Sequence, residues 1–251
     1  MFAACHDAED RDALHAAFVA TESLLGEDIL DQWIGPIEVA PRKRSLLRLI
    51  GREADKGLTL QDLRREVSRR IDAIRASLPE KPCIDRDDEW TLWELKPDPF
   101  DDYPEQSDLF VGKSMVPAMW LALRSNEPFF SDSFSRHGET FSYLKLDGSE
   151  GLDEEHFADK GEIEDAIDHA LRAARAGCFI GGGTGLRYSY LDLALLDVDR
   201  AIDVVRNILQ RGNIPKRSWL LFHDANLAAE WVGIWPDATE PPMDAAASGA
   251  R

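Results

Sequence analysis

Four glycines in five positions, Gly181, Gly182, Gly183 and Gly185, stand in the stretch "GCFIGGGTGLRYSYLDLALLD" at 177–197. Glycine-dense loops hold phosphate when their amides and a following helix N-terminus converge on the anion. A dinucleotide fingerprint requires GxGxxG; Gly181 and Gly183 supply two positions, and the third falls on Leu186. A GxxxxGK[ST] loop fails as well, because Ser107 stands where Gly112–Lys113–Ser114 would need its first glycine. The residues after Gly185 are rich in Tyr and Leu and read as a strand, so no helix end faces an anion. The expectation is a hairpin: a short strand near Cys178–Gly182, a glycine turn, then a longer strand. In extended geometry Tyr188, Tyr190, Asp192, Ala194 and Leu196 share one face, and Arg187, Ser189, Leu191, Leu193 and Leu195 the other. Gly183, Arg187 and Tyr190 near this turn, with Asp224 and Glu230 at other strand ends, form the candidate ligand-binding set of an enzyme reading.

Other short motifs fail on chemistry or number. His137–Gly138–Glu139 matches the HxE of zinc deaminases, but PCxxC is absent and Cys178 stands alone. No HExxH occurs and the six histidines are scattered, so neither a metal nor a cofactor is expected. "FHD" at 222–224 lacks a partner histidine, and "SYLK" at 142–145 lies in a strand-like run where SxxK needs its serine to open a helix. Glu94–Leu95–Lys96, with Asp85 or Asp88 upstream, resembles the acid…(D/E)xK core of metal-dependent nucleases. Among 47 acidic residues about 1.5 such triplets arise by chance, and the one found carries no weight.

The elements around these motifs follow from periodicity. A helix is expected at 10–25, with Leu14, Phe18 and Leu25 inward and Gly26 as its stop. "QWIGPIEVA" reads as a short strand, and basic helices follow at 42–54 and 60–78. The second carries an apolar stripe of Leu60, Leu63, Val67, Ile71, Ile74 and Leu78 behind a Thr59 cap. "EWTLWELK" (89–96) reads as a strand, "PDPFDDYPEQSD" as an acidic loop, 115–124 as a short helix and "TFSYLKLD" (140–147) as a strand. A helix opens after Asp159 and stops at Gly177; another, capped by Asp197 or Asp199, runs to Gly212. "RSWLLFHD" and "EWVGIW" complete the strands. The fold class is α+β: a helical N-terminal part, then a mixed β-sheet with packed helices. The expected organisation is a mainly helical region at 1–82, an α+β domain at 83–236 and a disordered tail at 237–251.

The formal charge of −18 disfavours nucleic acid and anionic membrane and attracts cations. Residues 41–81 hold 12 basic and 6 acidic side chains; the remainder holds 17 and 41. No aromatic residue interleaves with Arg64, Arg65, Arg69, Arg70 and Arg75, so nucleic acid is not an expected partner. The N-terminus lacks the basic start and apolar block of a signal peptide, no membrane span is legible, and three dispersed cysteines fit a reducing cytoplasm. Two acidic clusters, 85–108 and 147–168, hold ten carboxylates each. The expectation is therefore an acidic binding protein for a basic protein, in the manner of an immunity or antitoxin-like inhibitor. Trp90, Trp93, Asp98, Asp101, Asp102 and Tyr103 are its candidate contact residues. The alternative is a hydrolytic or nucleotide-processing enzyme with its site at 183–192.

Overall fold

The computed structural model describes residues 2–3, 10–35, 37–39, 59–125, 128–149 and 155–242. The chain divides into two compact units, Met1–Ser77 and Leu78–Arg251.

The first unit contains α1 (Asp10–Leu25), α2 (Glu27–Trp33) and α3 (Leu60–Ser77), with β1 (Phe2–Ala3) and β2 (Glu38–Val39) paired in parallel. Within the strand expected at "QWIGPIEVA", Glu38–Val39 forms β2, whereas Gln32 and Trp33 belong to α2: Gly26, at φ 90, breaks α1 and lets the chain restart as α2, which ends at Trp33. Ile29, Leu30 and Trp33 are spaced for a helix face, and Ile29 and Trp33 pack on the cluster of Leu25, Leu63, Val67 and Ile71. On α1 the buried positions are Ala13, Ala17, Thr21 and Leu25, while the expected Leu14 and Phe18 are exposed. Thr59 caps α3 as the sequence implies: the Asp62 amide donates to its hydroxyl at 3.1 Å, and that hydroxyl donates to the Asp62 carboxylate at 2.6 Å. The flanking arginines are held within the helix, Arg65 by Asp62 and Arg69 and Arg70 by Glu66. The basic helix expected at 42–54 lies outside the described residues.

The second unit is built on β3 (Thr91–Glu94), β4 (Leu109–Ser114), β5 (Thr140–Asp147), β6 (Gly177–Gly185), β7 (Tyr188–Leu195), β8 (Ser218–Phe222) and β9 (Trp231–Gly233). They form one sheet in the order β3-β4-β6-β7-β5-β8-β9. The α+β class is as expected, and each pairing within the sheet is antiparallel. α4 (Pro117–Ala122) follows β4, and α5 (Lys160–Ala174) and α6 (Val198–Arg211) precede β6 and β8. Asp159 and Asp197 cap α5 and α6, accepting from the Glu162 and Arg200 amides at 3.1 Å each. Arg175, in the left-handed conformation, ends α5, so that Gly177 already opens β6.

Strand alternation gives the sheet two different faces. Leu144, Leu146, Leu191, Leu193, Leu195 and Leu220 form one, and Ile163, Ile167 and Leu171 of α5 and Val205 and Leu209 of α6 bury it. Each leucine so removed from water contributes about 1.5–3 kcal/mol. The opposite face presents Tyr143, Tyr188, Tyr190, Trp219 and Leu221. Trp120 of α4 packs on that aromatic face, and Tyr103 and Leu109 fold onto it from the acidic stretch.

The glycines are strand residues, which corrects the expected glycine turn. The turn between β6 and β7 is Leu186–Arg187, and Gly181, Gly182 and Gly183 pair with β4 on one side and β7 on the other. Gly182, at φ 137, sits beside a β-bulge between Phe179 and Gly181. A Cβ at Gly183 would overlap the Val111 carbonyl and lie 2.6 Å from Leu109 Cδ1. The glycine run thus lets β4 approach β6 closely. Gly183→Ala should destabilise the fold by about 2 kcal/mol or more, read as a lower urea midpoint, because backbone must move to admit the methyl. A change under about 0.5 kcal/mol would contradict this packing role.

Candidate functional site

β5 and β7 place ionisable groups on the aromatic face, where water is largely excluded. Lys145, Asp147 and Asp192 are all buried. A buried charge is tolerable only with partners, and segment 97–108 supplies them. Lys145 Nζ donates to the carbonyls of Tyr103 and Glu105, the latter at 2.9 Å, and lies 4.2 Å from the Tyr188 ring centre. Burial pulls its pKa down to about 8 against the attraction of Asp108 and Asp102. Asp108, fully buried, accepts from the Arg187 and Tyr188 amides at 2.8 and 2.9 Å and from the Tyr190 hydroxyl. Its carboxylate occupies the space that a Cβ on Gly185 would fill. Asp102 accepts from the Tyr188 hydroxyl at 2.7 Å and from Arg217 at 2.6 Å. Asp147 takes Arg187 at 2.9 Å and Arg217 at 3.2 Å.

Further along the same face lies a cavity of about 850 Å³. Its walls include Leu95, Leu109, Leu123, Phe129 and Leu221, and its polar lining includes Lys96, Glu105, Gln106, Arg124, Tyr143 and His223. His223 stacks on Tyr143 at 4.7 Å between ring centres, and its Nε2 lies 3.3 Å from Asp192 Oδ1. Gln106 donates to the same carboxylate oxygen at 2.8 Å. Arg124 lies over the Trp120 ring at 3.4 Å, and Trp120 stacks on Trp93 at 3.9 Å.

The candidate partner residues separate into two groups. Trp93, Asp102 and Tyr103 serve the interior: Trp93 backs Trp120, Asp102 holds Arg217, and Tyr103 is buried, with its hydroxyl accepting from the Phe100 amide at 3.1 Å. Trp90, Asp98 and Asp101 are exposed. Around them stand large, exposed apolar side chains: Leu92 is 70% exposed, Phe100 66%, Trp90 44% and Phe110 40%, with the Trp90 ring 5.7 Å from Phe179 and the Phe100 ring 6.3 Å from Tyr103. Of the ten carboxylates in 85–108, Asp85, Asp88 and Asp102 are in ion pairs and Asp108 is internally bonded. Asp87, Glu89, Glu94, Asp98, Asp101 and Glu105 are exposed and have no basic partner among the described residues. The second cluster differs. Asp147, Glu164 and Asp168 are in ion pairs and Asp159 caps α5, while residues 150–154 lie outside the described set.

Of the alternative set, Gly183, Arg187 and Tyr190 come together. Gly183 faces Tyr190 across the pairing, and the Arg187 amide and Tyr190 hydroxyl share Asp108. All three serve the sheet's own construction. Asp224 is elsewhere, accepting from the Ser131 amide at 2.7 Å, and Glu230 is exposed. Ser142 and Lys145 point to opposite faces of β5, so the SxxK match is spatially void. Glu139 of the HxE match accepts from the Cys83 amide at 2.7 Å and the Ser135 hydroxyl at 2.6 Å. Asp85 and Asp88 pair with Arg175 and Arg86, which dissolves the nuclease-like triplet. No group of three or more His, Cys, Asp or Glu among the described residues could hold a metal ion. No helix among them is long and apolar enough to cross a membrane. The His223–Asp192 pair and Arg124 were not singled out as a site by sequence; the available signal was an acid, Asp192, in the otherwise apolar half of a strand.

No protein-family model, curated protein or solved structure matches the chain.

The Asp147 network carries a pH signature. Burial raises the Asp147 carboxyl, but hydrogen bonds from Arg187 and Ser149 and the Arg187 charge outweigh it, leaving it below the usual carboxylate range. A depressed folded pKa gives stability that is present above the unfolded value of about 3.9 and lost as pH falls through the folded one. Asp147→Asn should therefore lower the urea midpoint near neutral pH and converge on the parent below about pH 3. A constant difference across that range would show that the carboxylate charge is not the source.

Proposed function

We propose that this chain is an acidic binding protein that captures a basic protein through the outer edge of its sheet, around β3 and residues 97–101. The observation that supports this most strongly is the coincidence of two features on one segment. Trp90, Leu92, Phe100 and Phe110 are exposed, and six exposed carboxylates between Asp87 and Glu105 have no basic partner among the described residues. Apolar anchors rimmed by one sign of charge are the composition of an interface built for a partner of opposite sign. β3 strengthens the reading, since among the described residues it pairs only with β4 and has a second backbone edge free for a partner strand. A folded-back interior supports it too: Asp102, Tyr103 and Asp108 fix the segment before any partner arrives, which lowers the ordering cost of binding. An inhibitor of a basic toxin enzyme is one protein class with these needs.

The test is capture from host lysate at low salt, followed by a salt gradient and mass spectrometry. A basic protein should elute at near-equal stoichiometry as salt rises, because exposed charge pairs are screened. The double variant Leu92→Lys/Asp98→Lys should weaken its capture by about tenfold or more, as expected when an apolar anchor and a steering charge are both reversed. Asp203→Lys, an exposed site on α6, should leave capture unchanged. Equal capture by the parent and the double variant, or no captured protein at low salt, would overturn the proposal.

A further inference from the structure

The cavity on the aromatic face has polar groups that the fold does not consume. Tyr143 is 4% exposed and its hydroxyl has no hydrogen-bond partner among the described residues. Tyr143 lines the cavity, and its hydroxyl is available there to a ligand. Desolvation, reinforced by the Glu105 and Asp192 charges, raises the Tyr143 pKa, so the phenol stays protonated and can donate. Arg124 and Lys96, on the same lining, are in no ion pair among the described residues; Arg124 Nη1 donates to the Trp120 carbonyl at 3.3 Å and the Asp192 charge attracts it. Elsewhere on the sheet and its helices Lys113, Lys160, Arg172, Arg187 and Arg217 find carboxylates. The Arg124 guanidinium is held in place by the Trp120 ring beneath it, so its fork is pre-oriented rather than free.

From this arrangement we infer that the cavity is a binding site for a small amphipathic monocarboxylate, with its carboxylate at Arg124 and Tyr143 and its apolar body against Leu95, Leu123 and Phe129. Arginine recognises a carboxylate through two parallel donors, and the tyrosine adds a third. The volume of about 850 Å³ lies within the span of small-molecule pockets, and the leucine and phenylalanine walls favour an apolar body. Glu105 on the lining opposes a second negative charge, which selects a monoanion over a polyphosphate. His223 is held by Asp192 through Nε2; its Nδ1 has no partner among the described residues and can accept from a hydroxyl or amide on the ligand body. The cavity shares Pro97 and Glu105 with the acidic edge, but the inference rests on Arg124 and Tyr143 and does not depend on the partner-binding reading.

Naphthylacetate and its neutral isostere naphthylacetamide are suitable probes, titrated into the full chain and followed by NMR with labelled His and Tyr. The acid should bind in the millimolar range or tighter and shift the His223 and Tyr143 signals; the amide should bind about tenfold or more weakly. Arg124→Gln should remove most of the acid's advantage and leave amide binding unchanged. Tyr143→Phe should weaken the acid several-fold, while Lys216→Gln, a cation paired with Asp237 elsewhere, should change nothing. Circular dichroism and a urea midpoint for each variant separate lost binding from lost folding. Equal affinity for acid and amide, no response at His223 and Tyr143, or an Arg124→Gln variant that keeps the preference for the acid would each overturn the inference.

Discussion

The seating of the Asp108 carboxylate against Gly185 governs the second unit. That one side chain receives the amides of Arg187 and Tyr188 at the β6–β7 turn and the hydroxyl of Tyr190. It exists because β5 and β7 alternate: once their leucines face α5 and α6, Tyr188, Tyr190, Asp192, Lys145 and Asp147 must face the other way. These groups cannot be left dry and unpaired, since each unmatched buried charge costs several kcal/mol. Segment 97–108 meets the demand with Asp102, Asp108 and two carbonyls. The glycine run, the acidic run and the tyrosine-rich strand are therefore three parts of one structural solution, although they lie far apart in sequence.

How much of this was legible depends on whether the deciding contact is local. α3, α5 and α6 begin where the sequence implies because Thr59, Asp159 and Asp197 satisfy amides three residues on. The two faces of β7 were legible for the same reason, since alternation is local. β4 was not read as a strand. Its "LFVGKS" carries a glycine and a lysine whose roles appear only in the sheet: Gly112 lies under Trp120, and Lys113 reaches Glu164 on α5 at 2.6 Å. The glycines misled for a related reason. Local reasoning assigns a glycine run to a turn, whereas here Gly181 and Gly183 clear space for β4, a strand about seventy positions away. On α1 the larger Leu14 and Phe18 suggested the wrong stripe, and the small Ala13 and Ala17 are the buried residues.

The acidic run was correctly seen as unusual, but as a single surface. The structure divides it by orientation. Asp102 and Asp108 turn inward and are neutralised by Arg217, Tyr188, Tyr190 and backbone amides. Asp98, Asp101 and Glu105 face solvent. Because the inward residues fix the backbone, the outward ones are presented from a single conformation, which distinguishes them from the charges of a flexible acidic tail. Tyr103 is the hinge between the two roles: buried itself, it accepts from the Phe100 amide while the Phe100 ring stays exposed.

Gln106 links this segment to the cavity, since it leaves the same strap and holds Asp192, which in turn meets His223. Asp192 is thus bonded from two sides while its charge also reaches Arg124 and Tyr143; among the described residues Arg124 and Lys96 are in no ion pair and the Tyr143 hydroxyl has no hydrogen-bond partner. In a chain so rich in carboxylates an unpaired arginine beside a cavity requires that the strap keep its acids turned away from it. Asp102 and Asp108 are engaged across the sheet by Arg217 and Tyr190, too committed to swing toward Arg124. The network that stabilises the aromatic face therefore also holds Asp102 and Asp108 away from the Arg124 side of the cavity.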